Sequence, residues 1–191
     1  MTEHPYIPTT RIKPGRVLER EGCPSAWAGI ESILADLLDK FAVGRRSALE
    51  FGCEFGYSAI ALSNFFNHVT TVDLFGQLAY DGRPMRDVAR ENVDCYANIT
   101  LCERSSHEFI AECERHPTYG TIAWDLIHID ANHTYEDVMR EGTWAIEHSP
   151  VVILHDTESF ECVKQAVWDL AERNNKQFHN FVEFHGLGII V

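Results

Sequence analysis

The stretch Trp124–Tyr135, WDLIHIDANHTY, decides how the rest of the chain reads. Leu126-Ile127-His128-Ile129 is an apolar, β-branched run of the kind found in strands buried on both faces. It breaks abruptly into Asp130, with His133 three positions later and a helical pattern starting at Thr134. A buried strand ending in a carboxylate and an imidazole points both at whatever lies above the sheet. In open α/β sheets, ligands bind outside the carboxyl ends of the strands.

Working outward, the same alternation repeats. Residues 1–24, rich in Pro, Thr and charge, read as an N-terminal arm or lid, and 25–191 as a single domain. Pro24-Ser25 offers a helix start, followed by Ile30, Ile33, Leu34, Leu37, Leu38 and Phe41 on one helical face, with Gly44 closing it. Ser47–Phe51 is a first strand, then a glycine loop and a helix over 58–66. Val69–Asp73 is a second strand, followed by a helix with Met85, Val88, Ala89, Asn92, Val93 and Tyr96 on one side. Ile99–Glu103 is a third, after which Ser105 and Glu108 are spaced as a capping box. Pro117–Gly120 is a loop, and Leu126–Asp130 the fourth strand. A helix from Tyr135 to about Glu147 is capped by Thr134 with Asp137. Pro150 introduces a fifth strand, Val151–Leu154, ending in His155-Asp156. After a helix presenting Val163, Ala166, Val167, Leu170 and Ala171, Gln177–Phe184 and Leu187–Val191 form a hairpin at Gly186. The pattern predicts a doubly wound α/β fold: a mostly parallel seven-stranded sheet with an antiparallel C-terminal hairpin.

Composition narrows the function classes. The net charge of −13, from 29 acids against 16 Lys and Arg, argues against nucleic acid or an anionic membrane as partner. Arg83, Arg86 and Arg90 read as a solvated helix face. No apolar run is long enough to span a bilayer, and the N-terminal MTEHPYIPTTRIKPG lacks a signal-peptide core, so a cytoplasmic location is expected. The cysteines, at 23, 53, 95, 102, 113 and 162, contain no CxxC pair and read as reduced, mostly buried thiols. Cys53 stands apart, inside a glycine loop.

That loop, ALEFGCEFGYSAIAL over 48–62, places Glu50 at a strand end, Gly52 and Gly56 in the turn and Ser58 at a helix start. Glycine admits close backbone approach and a helix N-terminus offers free N–H groups. The spacing, E-x-G-x-x-x-G, is not the G-x-G-x-x-G of dinucleotide sites. Asp73 ends the next strand about twenty residues on, where a carboxylate commonly takes ribose hydroxyls.

With these features the chain, over about 45–191, resembles the class I S-adenosylmethionine-dependent methyltransferases. The resemblance implies that the methionine moiety lies over the Glu50–Ser58 loop, with Glu50, Gly52, Cys53, Gly56 and Ser58 forming the cofactor cradle. It places the ribose on Asp73 and the adenine near the third strand's end. There Glu103-Arg104-Ser105 replaces a common Gly-Asp-Ser, leaving Ser105 as the adenine contact.

Asp130, His133, His155 and Asp156 end the fourth and fifth strands, and neighbouring strands would bring all four to one rim. Carboxylates without sulfur ligands suit a hard cation such as Mg²⁺ or Mn²⁺. IDANHTYEDV and VVILHDT resemble the signatures of a metal-dependent O-methyltransferase branch that includes enzymes acting on antibiotic sugars and related natural products. The resemblance implies Asp130, His155 and Asp156 as metal ligands and His133 as general base. Ala131 departs from the branch's usual Gly, and Ser149-Pro150 from its Gly-Gly turn; Gly186-Leu187-Gly188 fits it.

The expected function is methyl transfer from S-adenosylmethionine to a hydroxyl of a small molecule, assisted by a divalent metal. A self-associating chain is compatible with the sequence. Two other classes compete: a catalytically silent nucleoside-binding or interaction module, and a nicotinamide-dependent oxidoreductase.

Overall fold

The computed structural model describes residues 2–79, 81–116 and 123–191. The loop expected at Pro117–Gly120 lies outside them. Strands are β1 (Glu3–Pro5), β2 (Ser47–Phe51), β3 (His68–Asp73), β4 (Ile99–Glu103), β5 (Leu126–Ile129), β6 (Val152–His155), β7 (Phe178–Phe181) and β8 (Leu187–Ile190). Helices are α1 (Leu34–Lys40), α2 (Tyr57–Leu62), α3 (Met85–Val93), α4 (Ser106–Arg115), α5 (Tyr135–His148) and α6 (Glu161–Arg173).

The strands form one sheet in the order β1-β7-β8-β6-β5-β2-β3-β4. From β6 to β4 the pairings are parallel, and β8 is antiparallel to both β6 and β7. The seven expected strands are therefore present, with an eighth added by the N-terminal segment, which pairs in parallel with β7 through Glu3, His4 and Pro5. Both faces are covered, which is why the central strands read as unbroken apolar runs. One face packs Ala48, Val69, Leu126 and Ile153 under α1 and α2. The other packs Leu49, Phe51, Ile127, Ile129, Val152 and Leu154 under α4, α5 and α6. No helix among the described residues is long and apolar enough to cross a membrane.

The first helix starts later than Pro24-Ser25 suggests. Gly29, at φ 109°, is in backbone open to glycine and breaks the helical path, so a 3₁₀ turn at Ile30–Ile33 leads into α1. The preceding segment is tied down along its length. Asp36 on α1 accepts from the Tyr6 hydroxyl at 2.6 Å and from the N–H groups of Thr9 and Thr10 at 2.9 and 3.0 Å. Farther on, Arg16 N–H donates to Asn64 at 2.8 Å, and Arg20 reaches Asn92 and Glu91 on α3. The segment thus straps over the sheet from the β7 edge to α3 before turning into the cavity.

Because β2 runs out to β3 on one side while β5 returns to its other side, β2 and β5 are neighbours at the topological switch point. The loops above them enclose the cavity.

Candidate active site

The cavity, of about 500 Å³, opens above the carboxyl ends of β2, β3, β5 and β6. One wall is the loop after β2. Gly52 has φ 93°, and a Cβ there would fall 2.0 Å from the Asp130 carbonyl oxygen. Only glycine lets this loop cross directly over the end of β5, where Asp130 N–H donates to the Phe51 carbonyl at 2.8 Å. Gly56, at φ 89°, is the N-cap of α2 and does not line the cavity; its neighbour Ser58 does.

Asp73 organises this loop. Its Oδ2 accepts the N–H groups of Cys53 and Glu54 at 2.8 and 2.9 Å, and its Oδ1 that of Phe75 at 2.7 Å. A carboxylate has about four acceptor positions, so room remains for a ligand hydroxyl. Cys53 lines the cavity with its thiol well above the ordinary range, raised by burial and by the charge of Glu50. It is a buried apolar packing group there, not a nucleophile.

Glu50 occupies a different position from the one the cofactor loop suggests. It is wholly buried, outside the cavity lining, and bonded to Thr71 at 2.5 Å and His128 at 3.0 Å. His128 Nε2 accepts from Trp27 Nε1 at 3.1 Å. Both Glu50 oxygens are thus engaged inside the sheet, and Glu50 reaches the cavity only through Trp27, which lines it.

The opposite wall carries the polar ends of β5 and β6. His133 Nε2 lies 3.0 Å from Asp156 Oδ2 and 3.5 Å from Asp130 Oδ1. Its ring stacks on Phe160, with centroids 4.4 Å apart and planes 15° apart. Thr134 caps α5 by accepting from Asp137 N–H at 3.2 Å, fixing the turn that carries His133. His155 Nε2 lies 3.1 Å from the Phe184 carbonyl, which can only accept, so Nε2 carries the proton. Its Nδ1 then faces Asp130 Oδ2 at 3.2 Å, buried and without an aligned hydrogen bond. Asp156 holds this place in left-handed backbone, φ 65°, a conformation that Asp tolerates better than most residues and that clusters at functional sites.

These groups strongly perturb one another. Burial raises the Asp130 carboxyl, but the neighbouring His133 and His155 imidazoles outweigh it and hold the pKa at about 2. His133 is raised to about 10, first by its hydrogen bond to Asp130 and then by that to Asp156. Asp130, His133 and Asp156 offer ligand atoms close enough to share one ion. His133 thus shares the two carboxylates that the sequence assigns to the metal.

Ser105 lines the cavity, but its hydroxyl is committed to the capping box with Glu108. Trp27, Glu54, Ser106 and Asn132 are among the lining residues that the sequence reading does not assign to the site. Glu54 was accessible to it, as an acid inside the glycine loop. Burial and the charges of Asp130 and Asp73 raise its pKa to about 7. Trp27 carries no local signal, because its partner His128 is 101 positions away.

A family model described as a methyltransferase domain matches residues 49–157, more than half of the chain. No curated protein sequence matches it. Among solved structures, a candidate O-methyltransferase from Klebsiella pneumoniae superposes with a TM-score of 0.58 at 20% identity, over 85% of this chain and 79% of that one. A candidate caffeoyl-CoA O-methyltransferase from Staphylococcus aureus gives 0.59 at 16% identity, over 91% and 84%. The methyltransferase PaMTH1 of Podospora anserina, bound to S-adenosylhomocysteine, gives 0.55 at 15% identity, over 76% and 70%. At these identities the likeness speaks for the fold and leaves the acceptor to the site. With the switch-point cavity, the glycine loop and the matched family, the chain belongs to the class I S-adenosylmethionine-dependent methyltransferases.

Proposed function

We propose that this chain transfers the methyl group of S-adenosylmethionine to a hydroxyl of a small molecule, a sugar or natural product. In this reading a divalent cation, Mg²⁺ or Mn²⁺, is held by Asp130, His155 and Asp156, and His133 is the general base. The observation that carries the reading is the facing of two walls across one cavity: the Gly52–Ser58 loop with Asp73, and the Asp130, His133, His155 and Asp156 cluster. Structural neighbours that bind S-adenosylhomocysteine, and others described as O-methyltransferases, lend support.

The residues present fit both groups. Asp73, Asp130 and Asp156 give the cavity carboxylate groups, suited to a sulfonium and to a hard cation. His155 Nδ1, buried and facing Asp130 Oδ2 at 3.2 Å without an aligned hydrogen bond, is the nitrogen that would join the two carboxylates around a cation. When bound, S-adenosylmethionine supplies an electrophilic methyl group. A cation at Asp130, His155 and Asp156 supplies positive charge that lowers the pKa of an acceptor hydroxyl.

The chain's own residues do the rest. Asp73 and the loop at Gly52 orient the cofactor, and much of the rate comes from that positioning. His133 keeps its proton tightly while both carboxylates face it. When their negative charge is shared elsewhere, it becomes a neutral imidazole whose Nε2 accepts the hydroxyl proton. Phe160 holds the ring in place. The test is methyl transfer across a panel of hydroxylated acceptors, with Mg²⁺ and with EDTA. Turnover that is undiminished in EDTA would remove the cation from the reaction.

The raised pKa of His133 favours a second reading, a cofactor-binding module without turnover, because an imidazolium accepts no proton. It predicts S-adenosylhomocysteine binding by calorimetry with no acceptor methylated in Mg²⁺.

A further inference from the structure

The loop after β2 sets one acid apart from the others in the cavity. Cys53 and Phe55 are buried, and Glu54 between them lines the cavity. Its backbone is left-handed at φ 48°, and its N–H is held by Asp73 Oδ2 at 2.9 Å. Residues other than glycine seldom adopt this conformation, and those that do gather at functional sites. The two buried neighbours and the bond to Asp73 fix Glu54 at the cavity wall.

Each of the other acids that line the cavity has partners within the chain. Asp73 accepts three backbone N–H groups. Asp130 faces His133 and His155, and Asp156 faces His133. The Glu54 carboxylate has no hydrogen bond or ion pair among the described residues. What acts on it is desolvation at the cavity wall, then the charge of Asp130, then that of Asp73. Among the described residues, no lysine or arginine lines the cavity. Arg83 and Arg86, which follow β3, are paired with Asp81, Glu91, Asp87 and Glu103.

Charge decides what such a cavity admits. The methyl acceptor must lie between the loop that holds the methyl donor and the wall of Asp130 and His133, because transfer needs the reacting atoms in near contact. Glu54 stands in that loop, and Asp130 is the charge that acts on it most strongly. An acceptor substituent within reach of Glu54 therefore meets a carboxylate that has no counter-ion in the chain. A protonated amine there makes a charge-assisted hydrogen bond. A phosphate or carboxylate meets like charge with no cationic side chain to offset it, and such repulsion is how sites reject a wrong partner.

We infer that Glu54 determines acceptor specificity by taking a protonated amine, so that the substrate is an amine-bearing hydroxyl compound, of the amino-sugar or amino-alcohol type, and not an anionic one. This rests on the S-adenosylmethionine reading above. It is tested by calorimetry on the full chain loaded with S-adenosylhomocysteine and Mg²⁺, using two sets of hydroxyl compounds that differ within each set chiefly in charge. One set is glucosamine, glucose and glucuronate; the other is tyramine, 4-ethylphenol and 4-hydroxyphenylacetate.

In at least one set the amine should bind about tenfold more tightly than the carboxylate, the size expected of one charge-assisted contact, with the neutral compound between them. Glu54→Gln should bring amine and carboxylate within about threefold of each other, as expected when only a neutral contact is left. Glu54→Asp should keep the order, and Glu54→Lys should reverse it. Equal binding of amine and carboxylate in both sets, no binding of either amine, or an order that survives Glu54→Gln would each overturn the proposal. Affinity for S-adenosylhomocysteine separates the acceptor's amine from the cofactor's own ammonium group. Glu54→Gln should leave that affinity within about twofold, and a loss of about tenfold would assign Glu54 to the cofactor and overturn the proposal. Failure of the wild-type chain to bind S-adenosylhomocysteine would overturn the cofactor reading itself. Glu54 is exposed while its neighbours are buried, so these substitutions change the charge of the wall and leave the core packing as it is.

Discussion

His128 Nδ1 lies 3.0 Å from Glu50 Oε1, between register partners on neighbouring strands that are both closed to solvent. Trp27 Nε1 can only donate, so His128 Nε2 accepts from it and Nδ1 carries the proton to Glu50. A line of bonds therefore runs Trp27, His128, Glu50, Thr71, from the cavity wall into the middle of the sheet. The acid at the end of β2 holds that wall in place from inside the sheet.

Replacing His128 by Leu should leave a buried carboxylate supported by Thr71 alone and Trp27 without an acceptor. The expected loss is roughly 3 kcal/mol in urea denaturation, with a shift in Trp27 fluorescence. A loss below about 0.5 kcal/mol would show that the network contributes little.

His133→Ala and Asp130→Ala should each abolish methyl transfer, while His133→Ala keeps S-adenosylhomocysteine binding in calorimetry. Normal turnover in either variant, with a genuine acceptor, would dismiss His133 as base or Asp130 as ligand.

Asp156→Asn preserves shape and tolerates the left-handed backbone at φ 65°, so its fold should persist. Cation affinity should fall by roughly 100-fold or more, since even disturbing the groups around a metal's ligands commonly costs 10–100-fold. Titration of Mn²⁺ followed by its paramagnetic signal gives the comparison. Equal affinity in the two proteins would place the ion elsewhere.

The N-terminal strap should loosen in acid. Burial raises the Asp36 carboxyl, but hydrogen bonds from Thr9 and Tyr6 and from the backbone of Thr10 and Thr9 prevail, lowering its pKa from 3.8 to about 2. A depressed folded-state pKa stabilises above the unfolded value, so this contribution is fully present above about pH 4 and is lost as pH falls through about 2. Asp36→Asn should destabilise the chain at neutral pH and remove that acid-dependent component. Hydrogen exchange at Thr9 and Thr10 amides reports it directly, and an unchanged acid profile in the variant would refute the assignment.

Much of this architecture was legible because it is local. Runs such as LIHI and VVIL, closed by Asp130 and by His155-Asp156, announce buried parallel strands with polar carboxyl ends, and the cap at Thr134 and the capping box at Ser105 follow from spacing alone. The cluster of Asp130, His133, His155 and Asp156 was legible for the same reason. It needs only two strand ends and their adjacency.

What the sequence by itself determined is the alternation, the glycine loop and the residues at each strand end, all set by side-chain periodicity within a few positions. Tertiary structure alone decided which of them share a space. Glu50 turns inward because Thr71 and His128, 21 and 78 positions away, complete its hydrogen bonds inside the sheet. Glu3–Pro5 becomes a strand because the edge of β7 offers it unpaired backbone groups. WDLIHIDANHTY holds both outcomes: His128 serves the core and Asp130, two residues on, serves the cavity. A strand's alternation gives them one side of the sheet, and only the packing around them separates their work.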